Sequence, residues 1–330
     1  MKRIAIIGDG GWGTALALTL LGNGHRVTVW GPFPEYIEEI CRKRENPLYL
    51  PGVALPPDLA WTSDRAVAAE GADVIVLAVP TRFFRAVAAS FRGVIPPSAA
   101  VVSVAKGLDA QTHHRMSEVA QEVLGRGPVA ALSGPSHAEE VARRVPTAVV
   151  IASADAAQAR MLQSVFMGPR FRVYTSDDVA GVELGGALKN IMAIAAGASD
   201  GIGFGDNTKA ALLTRGLAEI TRLGCALGAK PATFAGLSGM GDLIVTCTSR
   251  FSRNRSVGER LGRGEKIDGI LASMKQVAEG VWTCALARDL ARERGIEVPI
   301  TEEVFAVLHE AKNPLEAVGD LMMRSAKPEG

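Results

Sequence analysis

The sequence has few cysteines, four in 330 residues, and they stand far apart: Cys41, Cys225, Cys247 and Cys284. Without any Cys-x-x-Cys spacing, this pattern predicts reduced thiols in a cytoplasmic protein and argues against a disulfide framework. The five histidines form no metal-binding pattern with the cysteines and no His-Glu-x-x-His helix. We therefore expect no metal site.

The chain also lacks an excess of charge of either sign, since 36 lysines and arginines meet 35 aspartates and glutamates. The formal net charge of +1 disfavours nucleic acid and anionic membranes as partners, so any anion site must be local. No run approaches the roughly 20 apolar residues that span a bilayer, and the apolar run at 4–7 is too short for a signal peptide. We expect a small charged substrate and no membrane insertion.

A glycine motif opens the chain. A β-branched run at 2–7 is followed by Gly8-Asp-Gly10-Gly-Trp-Gly13, a helical pattern at 14–21 and a second strand at 25–30. In the order strand, Gly-x-Gly-x-x-Gly, helix, strand, this motif predicts a dinucleotide site. Gly8 would make the tight turn, Gly10 would admit the pyrophosphate, and Gly13 would let helix and strand pack closely. The alternative is a glycine-rich turn without a ligand.

The sequence leaves the choice between NAD and NADP open. Asp9 is unfavourable near a pyrophosphate and is expected to point away from it. After the second strand, Trp30-Gly-Pro-Phe33 has neither an acid for the ribose hydroxyls nor an arginine for a 2′-phosphate. The basic residues 42–44 lie farther on. We therefore expect both cofactors to be used.

Strands and helices alternate up to residue 176, with further strands predicted at 73–79, 99–104, 129–132, 147–151 and 170–174. This alternation predicts a parallel, doubly wound sheet. From residue 177 onward only helical segments are predicted, the first of them at 179–197. We expect a Rossmann-type dinucleotide-binding domain at 1–176 and an all-helical substrate-binding and catalytic domain at 177–330.

Lys189 is the only ionisable side chain between Leu184 and Ser199, in a segment that is apolar or small on every side. Such a helix is buried all round, and a lysine in it must find a partner or lose its proton. Gly185 and Gly186 lie beneath the lysine, which suggests space for a ligand; the alternative is that they admit a neighbouring helix. A desolvated lysine is a usable general acid or base.

Three loops carry further candidates. Lys106 follows a strand and precedes a glycine, and Gly134 and Ser136 precede a helix that begins near His137. Ser136 is either a helix cap or an anion ligand, and His137 is either a base or an ordinary helix-start histidine. The segment 246–255 is predicted as a loop that binds phosphate through Arg253 or Arg255, unless it is merely a solvated basic loop. Asp242 is a candidate partner for Lys189.

Several segments together resemble NAD(P)-dependent glycerol-3-phosphate dehydrogenase over nearly the whole chain. They begin at the glycine motif and continue with Asn46-Pro-Leu-Tyr-Leu-Pro-Gly52, Leu132-Ser-Gly-Pro-Ser136, Gly185-Gly-Ala-Leu-Lys-Asn190, Gly203-Phe-Gly-Asp-Asn-Thr-Lys-Ala-Ala211 and Ser252-Arg-Asn254. The resemblance implies reversible reduction of dihydroxyacetone phosphate to sn-glycerol 3-phosphate for glycerophospholipid synthesis, and a homodimer.

The resemblance also implies residue roles. Lys189 would be the proton donor and acceptor, with Lys106 stabilising the developing alkoxide and Asp242 beside them. The other substrate-binding residues would be Gly134, Ser136, Ser252, Arg253 and Asn254. The cofactor would contact Gly11, Trp12, Phe33, Lys106, Ala138, Arg253, Val277 and Glu279.

Two departures and two rival functions remain. Many relatives carry a basic residue or histidine where this chain has Pro32-Phe33, and Phe where it has His137. A β-hydroxyacid dehydrogenase of the 6-phosphogluconate-like type would carry Asn one turn after the lysine, where Ala193 stands, whereas Asn190 favours the glycerol-phosphate reading. A non-catalytic nucleotide sensor would carry damage at Lys189 or the phosphate loop.

Overall fold

The computed structural model describes residues 1–274, 276–326, 328 and 329. The first half is built on an eight-stranded sheet and a small antiparallel hairpin. In chain order the strands are β1 (Arg3–Ile7), β2 (Arg26–Trp30), β3 (Glu45–Asn46), β4 (Leu50–Ala54), β5 (Ala60–Thr62), β6 (Val74–Leu77), β7 (Ala100–Ser103), β8 (Val129–Ser133), β9 (Thr147–Ala152) and β10 (Phe171–Ser176). Strands β3 and β4 form the hairpin, and the order across the sheet is β10-β9-β8-β7-β6-β1-β2-β5.

Helices cover both faces of this sheet. They are α1 (Gly11–Gly22), α2 (Pro34–Lys43), α3 (Arg65–Ala69), α4 (Thr81–Ser90), α5 (Met116–Leu124), α6 (Ala138–Ala142) and α7 (Ala156–Phe166). Side chains alternate along β1, so that Ile4 and Ile6 join one core while Ala5 and Ile7 join the other. Side chains that point alternately to the two faces, and are buried on both, are what a doubly wound sheet requires.

Six strands, β5 to β8 across the sheet, are parallel as predicted, but the last two run the other way. Strand β9 pairs with β8 in antiparallel fashion, and β10 is parallel to β9. The connection from β8 to β9 contains only the five-residue helix α6, so β9 starts at the end of the sheet where β8 stops. A parallel β9 would have had to start at the opposite end of the sheet, which requires a longer crossover connection.

The second half is helical, and no strand follows Ser176 in the part of the chain that the structure describes. Its helices are α8 (Val179–Ile202), α9 (Asp206–Ala226), α10 (Pro231–Phe234), α11 (Asp242–Thr248), α12 (Arg253–Gly262), α13 (Ile267–Ser273), α14 (Glu279–Glu293), α15 (Pro299–His309) and α16 (Pro314–Met322). A π-helical turn, Leu237–Gly241, leads into α11.

The prediction of a loop over 246–255 was wrong at both ends, because α11 continues to Thr248 and α12 begins at Arg253. Helix α11 was not predicted because the segment is rich in glycines and hydroxyl side chains. Its residues Leu243, Thr246 and Cys247 are nevertheless buried at helical spacing.

Helix α8 is the centre of the second half. By length and composition it meets the test for a membrane span, contrary to the expectation from sequence, but 83% of its most apolar window is buried inside the protein. It packs against α12 at backbone contact, since a Cβ on Gly258 would overlap the carbonyl oxygen of Ile194. A long apolar helix enclosed in this way is a core helix.

The first turns of α8 also bind the sheet half. Glu183 is buried and accepts hydrogen bonds from the Ser117 backbone N–H at 2.8 Å and the Ser117 hydroxyl at 2.5 Å. Arg115 pairs with the same carboxylate at 2.9 Å. A buried carboxylate is stable only when it is paired and hydrogen-bonded, and both conditions hold here. Glu183 therefore joins the two halves of the chain.

Candidate active site

Three charged side chains meet where the sheet half and the helical half touch. Asp242 is 1% exposed, and its Oδ2 accepts a hydrogen bond from Lys106 Nζ at 2.7 Å. Its Oδ1 pairs with Nζ of Lys189, which is 5% exposed. Lys106 follows β7, whereas Lys189 and Asp242 lie on α8 and α11. The prediction of a buried lysine with Asp242 as its partner is confirmed in its geometry.

The protonation of Lys189 is set by competing effects. Burial lowers its pKa, the Asp242 carboxylate raises it, and the Lys106 ammonium lowers it again, with a result of about 7. Burial therefore outweighs the carboxylate. For Asp242, burial raises the pKa, but the two neighbouring ammonium groups prevail and lower it. Near neutral pH the cluster thus holds an ionised carboxylate and a lysine that readily exchanges its proton.

The glycines beneath Lys189 do not open a space for a ligand. A Cβ on Gly185 would lie 2.5 Å from the carbonyl oxygen of Ser238 in the π-helical turn, and one on Gly186 would lie 2.6 Å from Ser133 Oγ. The Cγ atom of Lys106 also lies close, 3.4 Å from a Cβ built on Gly186. That expectation was wrong, because these glycines let protein groups approach and thereby bring Lys106 close to Lys189.

Two further residues belong to the cluster: Thr246 was not singled out from the sequence, and Asn190 was used there only to distinguish two families. Thr246, one helical turn after Asp242, accepts a hydrogen bond from Lys189 Nζ at 2.7 Å and donates to the Asp242 carbonyl at 2.6 Å. Asn190 accepts a hydrogen bond from Asn254 Nδ2 at 3.0 Å, and Asn254 in turn accepts from the Gly280 N–H at 2.9 Å. The spacing of four between Asp242 and Thr246 was the available signal.

The loop after β8 forms one wall of the site. The Gly134 carbonyl accepts hydrogen bonds from Lys106 Nζ at 3.0 Å and from the Ser136 hydroxyl at 2.8 Å. His137 has no acceptor or donor at its buried Nε2 among the described residues. Burial and the charges of Lys189 and Lys106 lower the pKa of His137 to about 4, so the imidazole is neutral. A general base at neutral pH is better supplied by Lys189.

The Ser252-Arg-Asn254 segment begins α12. Ser252 is its N-cap and accepts a hydrogen bond from the Arg255 N–H at 3.2 Å. Arg255 itself is committed to Asp200, at 2.6 Å. Arg253, by contrast, has no ion pair within 4.0 Å among the described residues, and it is solvent-accessible while lying in a cleft whose walls desolvate it and lower its pKa. Of the two candidate arginines, Arg253 is available to an anion.

The glycine turn has the geometry that a pyrophosphate needs. Gly8 has φ +123°, and a Cβ there would meet the Ala78 carbonyl, so only glycine is accommodated. A Cβ on Gly13 would overlap the Gly8 carbonyl, whereas nothing lies within 4 Å of a Cβ built on Gly10. The bare backbone at Gly10 and the N-terminus of α1 are thus open to an anion, as a dinucleotide requires.

The other predicted cofactor residues lie around this turn and the Lys106 loop. A Cβ on Gly11 would be 2.5 Å from the Tyr49 carbonyl and 3.7 Å from Ala138 Cβ. Glu279 accepts a hydrogen bond from the Thr81 N–H at 3.0 Å and faces Gly107. Trp12 has a buried Nε1 without a hydrogen-bond partner among the described residues. Phe33, which precedes α2, is 61% exposed. Val277 is half-buried and lies two residues before Glu279.

Comparisons with known proteins match this architecture over the full length of the chain. Residues 3–159 match the family model for the N-terminus of NAD-dependent glycerol-3-phosphate dehydrogenase, and residues 178–319 match that for its C-terminus. Glycerol-3-phosphate dehydrogenase [NAD(P)+] of Geobacillus kaustophilus is 54% identical, covering 100% of this chain and 96% of that protein. The Moorella thermoacetica enzyme of the same name is 52% identical, with 98% and 96% covered.

Solved structures give the same result. Glycerol-3-phosphate dehydrogenase from Coxiella burnetii superposes with a TM-score of 0.94 at 40% identity, covering 98% of this chain and 99% of that one. A ketopantoate reductase from Ralstonia eutropha, at 18% identity, has a TM-score of 0.62 with 96% and 99% covered, which shows a likeness of fold alone.

Proposed function

The chain belongs to the NAD-dependent glycerol-3-phosphate dehydrogenase family, and from this premise we propose how its own residues carry out the reaction. It is an oxidoreductase that uses NAD(P) and reduces dihydroxyacetone phosphate to glycerol 3-phosphate. The rival 6-phosphogluconate-like reading is not favoured, because the family models and the full-length relatives carry the glycerol-phosphate name. When bound, the reduced nicotinamide supplies the hydride.

Lys189 is the proton donor in reduction and the proton acceptor in oxidation. The observation that carries this assignment is a buried ammonium whose pKa is about 7, held by Asp242 and Thr246. Such a group populates both protonation states at neutral pH, which is what a reversible proton transfer needs. Asp242 keeps the ammonium oriented, because its carboxylate is itself fixed by Lys106.

Lys106 stabilises the negative charge that develops on the substrate oxygen. Its ammonium is anchored by the Gly134 carbonyl and Asp242, yet its side chain remains 19% exposed toward the cleft. A preorganised cation in a site shielded from water favours the developing alkoxide more than it favours the neutral carbonyl. We place the substrate between Lys106, Lys189, Gly134 and Ser136.

The substrate phosphate binds at the start of α12. Arg253 offers a planar guanidinium that has no ion-pair partner in the part of the chain that the structure describes, and the backbone N–H groups of Arg253 and Asn254 lie in the first helical turn. Those N–H groups and the helix dipole favour an anion. Ser252 and Asn254 hold the segment in place through the N-cap and the Asn190 contact, and we retain both as substrate-binding residues.

The cofactor lies along the glycine turn and reaches the Lys106 loop. Gly8, Gly10, Gly11, Trp12 and Gly13 would hold its phosphates. Phe33, Ala138, Val277 and Glu279 would surround the rest, with Lys106 and Arg253 shared between cofactor and substrate. Support comes from the open backbone at Gly10 and from the position of Glu279 beside Gly107. From the family resemblance we further propose a cytoplasmic homodimer that serves glycerophospholipid synthesis.

A cofactor-oxidation assay tests the proposal. The chain should oxidise NADH or NADPH with dihydroxyacetone phosphate and should reduce NAD⁺ or NADP⁺ with glycerol 3-phosphate. Small 2- and 3-hydroxyacids should serve poorly in the oxidative direction. Preferred turnover of a hydroxyacid would contradict the assignment, and cofactor binding without turnover of any of these compounds would support a nucleotide sensor.

A further inference from the structure

Asp9 places a carboxylate at the end of β2. It stands inside the glycine turn, and a Cβ built on Gly31 would lie 2.5 Å from its Oδ2. Gly31 directly follows β2, so the carboxylate occupies the space that a side chain at position 31 would need. The Asn46 side chain donates to the Asp9 carbonyl at 2.7 Å and thereby fixes the backbone of this residue.

One oxygen of this carboxylate is left without a hydrogen-bond donor within the described part of the chain. Among the described residues, none donates a hydrogen bond to the buried Oδ2 of Asp9. Desolvation raises the pKa of Asp9, and the charge of Asp9 contributes to the raised pKa values of Tyr36 and Tyr49. A buried charge without a donor is costly and calls for an explanation. Asp9 as a whole is only half-buried, so the residue stays accessible at the turn where a dinucleotide would bind.

The neighbouring loop has no competing group for that molecule. In dinucleotide-binding folds an acid after the second strand receives the ribose 2′-hydroxyl, and a nearby arginine accommodates a 2′-phosphate. Here the segment 31–33 is Gly-Pro-Phe. Of the basic residues at the end of α2, Lys43 pairs with Glu39 at 2.6 Å and Arg44 donates to the Pro57 carbonyl at 3.4 Å.

We propose that Asp9 reads the adenosine ribose of the cofactor, accepting a hydrogen bond from a 2′-hydroxyl and repelling a 2′-phosphate. The acid that related folds carry after β2 is here supplied from within the glycine turn, and Gly31 makes room for it. NAD is therefore preferred over NADP, although both are used. This inference rests on the dinucleotide site of the proposed function and assigns its specificity to one side chain.

Equilibrium binding of NAD⁺ and NADP⁺ to the full chain, measured by titration calorimetry without substrate, tests the proposal. The unsubstituted protein should bind NADP⁺ roughly tenfold or more weakly than NAD⁺, because the 2′-phosphate brings a second negative charge beside the Asp9 carboxylate. Asp9→Asn keeps the shape and removes the charge. It should strengthen NADP⁺ binding about tenfold and change NAD⁺ binding by only a few-fold.

Glu35→Gln is the matched control, since it removes one charge from an exposed residue in the first turn of α2. Its ratio of the two dissociation constants should equal that of the unsubstituted protein. If Asp9→Asn leaves the ratio unchanged, or shifts it no more than Glu35→Gln does, Asp9 does not read the ribose. If the unsubstituted protein binds neither nucleotide, the dinucleotide site itself is overturned. Asp9→Ala, with thermal denaturation, repeats the test should Asp9→Asn fold poorly.

Discussion

Lys189 combines almost complete burial with a titrating ammonium, and its replacement separates chemistry from packing. Lys189→Met keeps a stem of similar length and removes the proton donor, so turnover should fall by about 10²–10⁴-fold. The fold should persist, because Asp242 retains Lys106 as its partner. Thermal denaturation and cofactor binding serve as controls. Near-normal turnover would refute the role of Lys189, and an unfolded variant would favour a packing role.

The pKa of Lys189 predicts opposite pH profiles for the two directions. Reduction needs the protonated form, so kcat/KM for dihydroxyacetone phosphate should fall as the pH rises through about 7. Oxidation needs the neutral form, so kcat/KM for glycerol 3-phosphate should rise through the same range. Steady-state rates from pH 5.5 to 9 in both directions provide the measurement. Profiles that move the same way in both directions would exclude Lys189 as the group that titrates.

Arg253 should bind the substrate phosphate. Charge-assisted bonds to a phosphate contribute roughly 1.5–3 kcal/mol, so Arg253→Ala should weaken apparent affinity for dihydroxyacetone phosphate by about one to two orders of magnitude. The phosphate-free ketone dihydroxyacetone, a poor substrate, should lose much less.

Arg250→Ala is the charge-matched control for Arg253→Ala. Arg250 is exposed, stacks on the Phe251 ring and belongs to the same segment of chain. Its replacement should leave the affinity for dihydroxyacetone phosphate nearly unchanged. Equal losses for both ketones in Arg253→Ala would mean that Arg253 supports the cofactor or the fold instead.

At the scale of elements, the crossing of α8 and α12 is held by glycines that no larger residue can replace. A Cβ on Gly258 would overlap the Ile194 carbonyl oxygen, and one on Gly197 would overlap that of Arg255. Gly258→Ala should therefore destabilise the protein by about 1–3 kcal/mol through overpacking, and it should raise KM because α12 begins at Arg253. Urea denaturation and steady-state kinetics are the measurements.

Gly269→Ala provides the control for that substitution. Gly269 lies inside α13, and nothing stands within 4 Å of a Cβ built there. Alanine should stabilise this position by about 0.5–1 kcal/mol, as for an open glycine in a helix. If Gly258→Ala and Gly269→Ala behaved alike, the glycine contact between α8 and α12 would not be the cause.

The elements that the sequence predicted well are those with an uninterrupted period. Helix α8 begins at the predicted residue, Val179, and its apolar composition continues to Ile202, five residues beyond the predicted end. Helix α11 was missed because a π-helical turn of glycines leads into it, and a turn of that kind has no period of its own. The reversal of β9 was missed because apolar patterning reports burial and not strand direction.

The same limit applies to the site. Lys189 was identified because a lone charge in an apolar helix is visible in the sequence. The packing role of Gly185 and Gly186 could not be identified from the sequence, because the residues that contact them, Ser238 and Ser133, lie far away in the chain. The sequence likewise did not show which of Arg253 and Arg255 is available to a phosphate, because the Asp200 partner of Arg255 lies on a different helix. Contacts between distant segments are what the sequence alone does not specify.

At the scale of the whole molecule, Asp242 joins the two halves through one carboxylate, since Lys106 belongs to the sheet half and Lys189 to the helical half. Asp242→Asn leaves the buried Lys189 and the partly exposed Lys106 without their counter-charge and should cost on the order of 3 kcal/mol. The loss should be larger below pH 7, where Lys189 of the unsubstituted protein is protonated and gains from the pair, than above it.

Chemical denaturation at pH 6 and pH 9 measures this difference for Asp242→Asn. The double variant with Lys189→Met should recover part of the stability, because one of the two unpaired charges is then absent. An Asp242→Asn variant as stable as the unsubstituted protein at both pH values would show that the carboxylate contributes no net stability to the junction.

The carboxylates of Glu183 and Glu279 determine when, during synthesis, the sheet half can complete its hydrogen bonds. Ser117 is 66 residues before Glu183, and Thr81 is 198 residues before Glu279, yet each pair is hydrogen-bonded. A domain emerging from the ribosome folds from its N-terminus, and such distant contacts close last. The sheet half is therefore synthesised long before its own contacts are complete, and Thr81 at the start of α4 acquires its final partner only when α14 has been made.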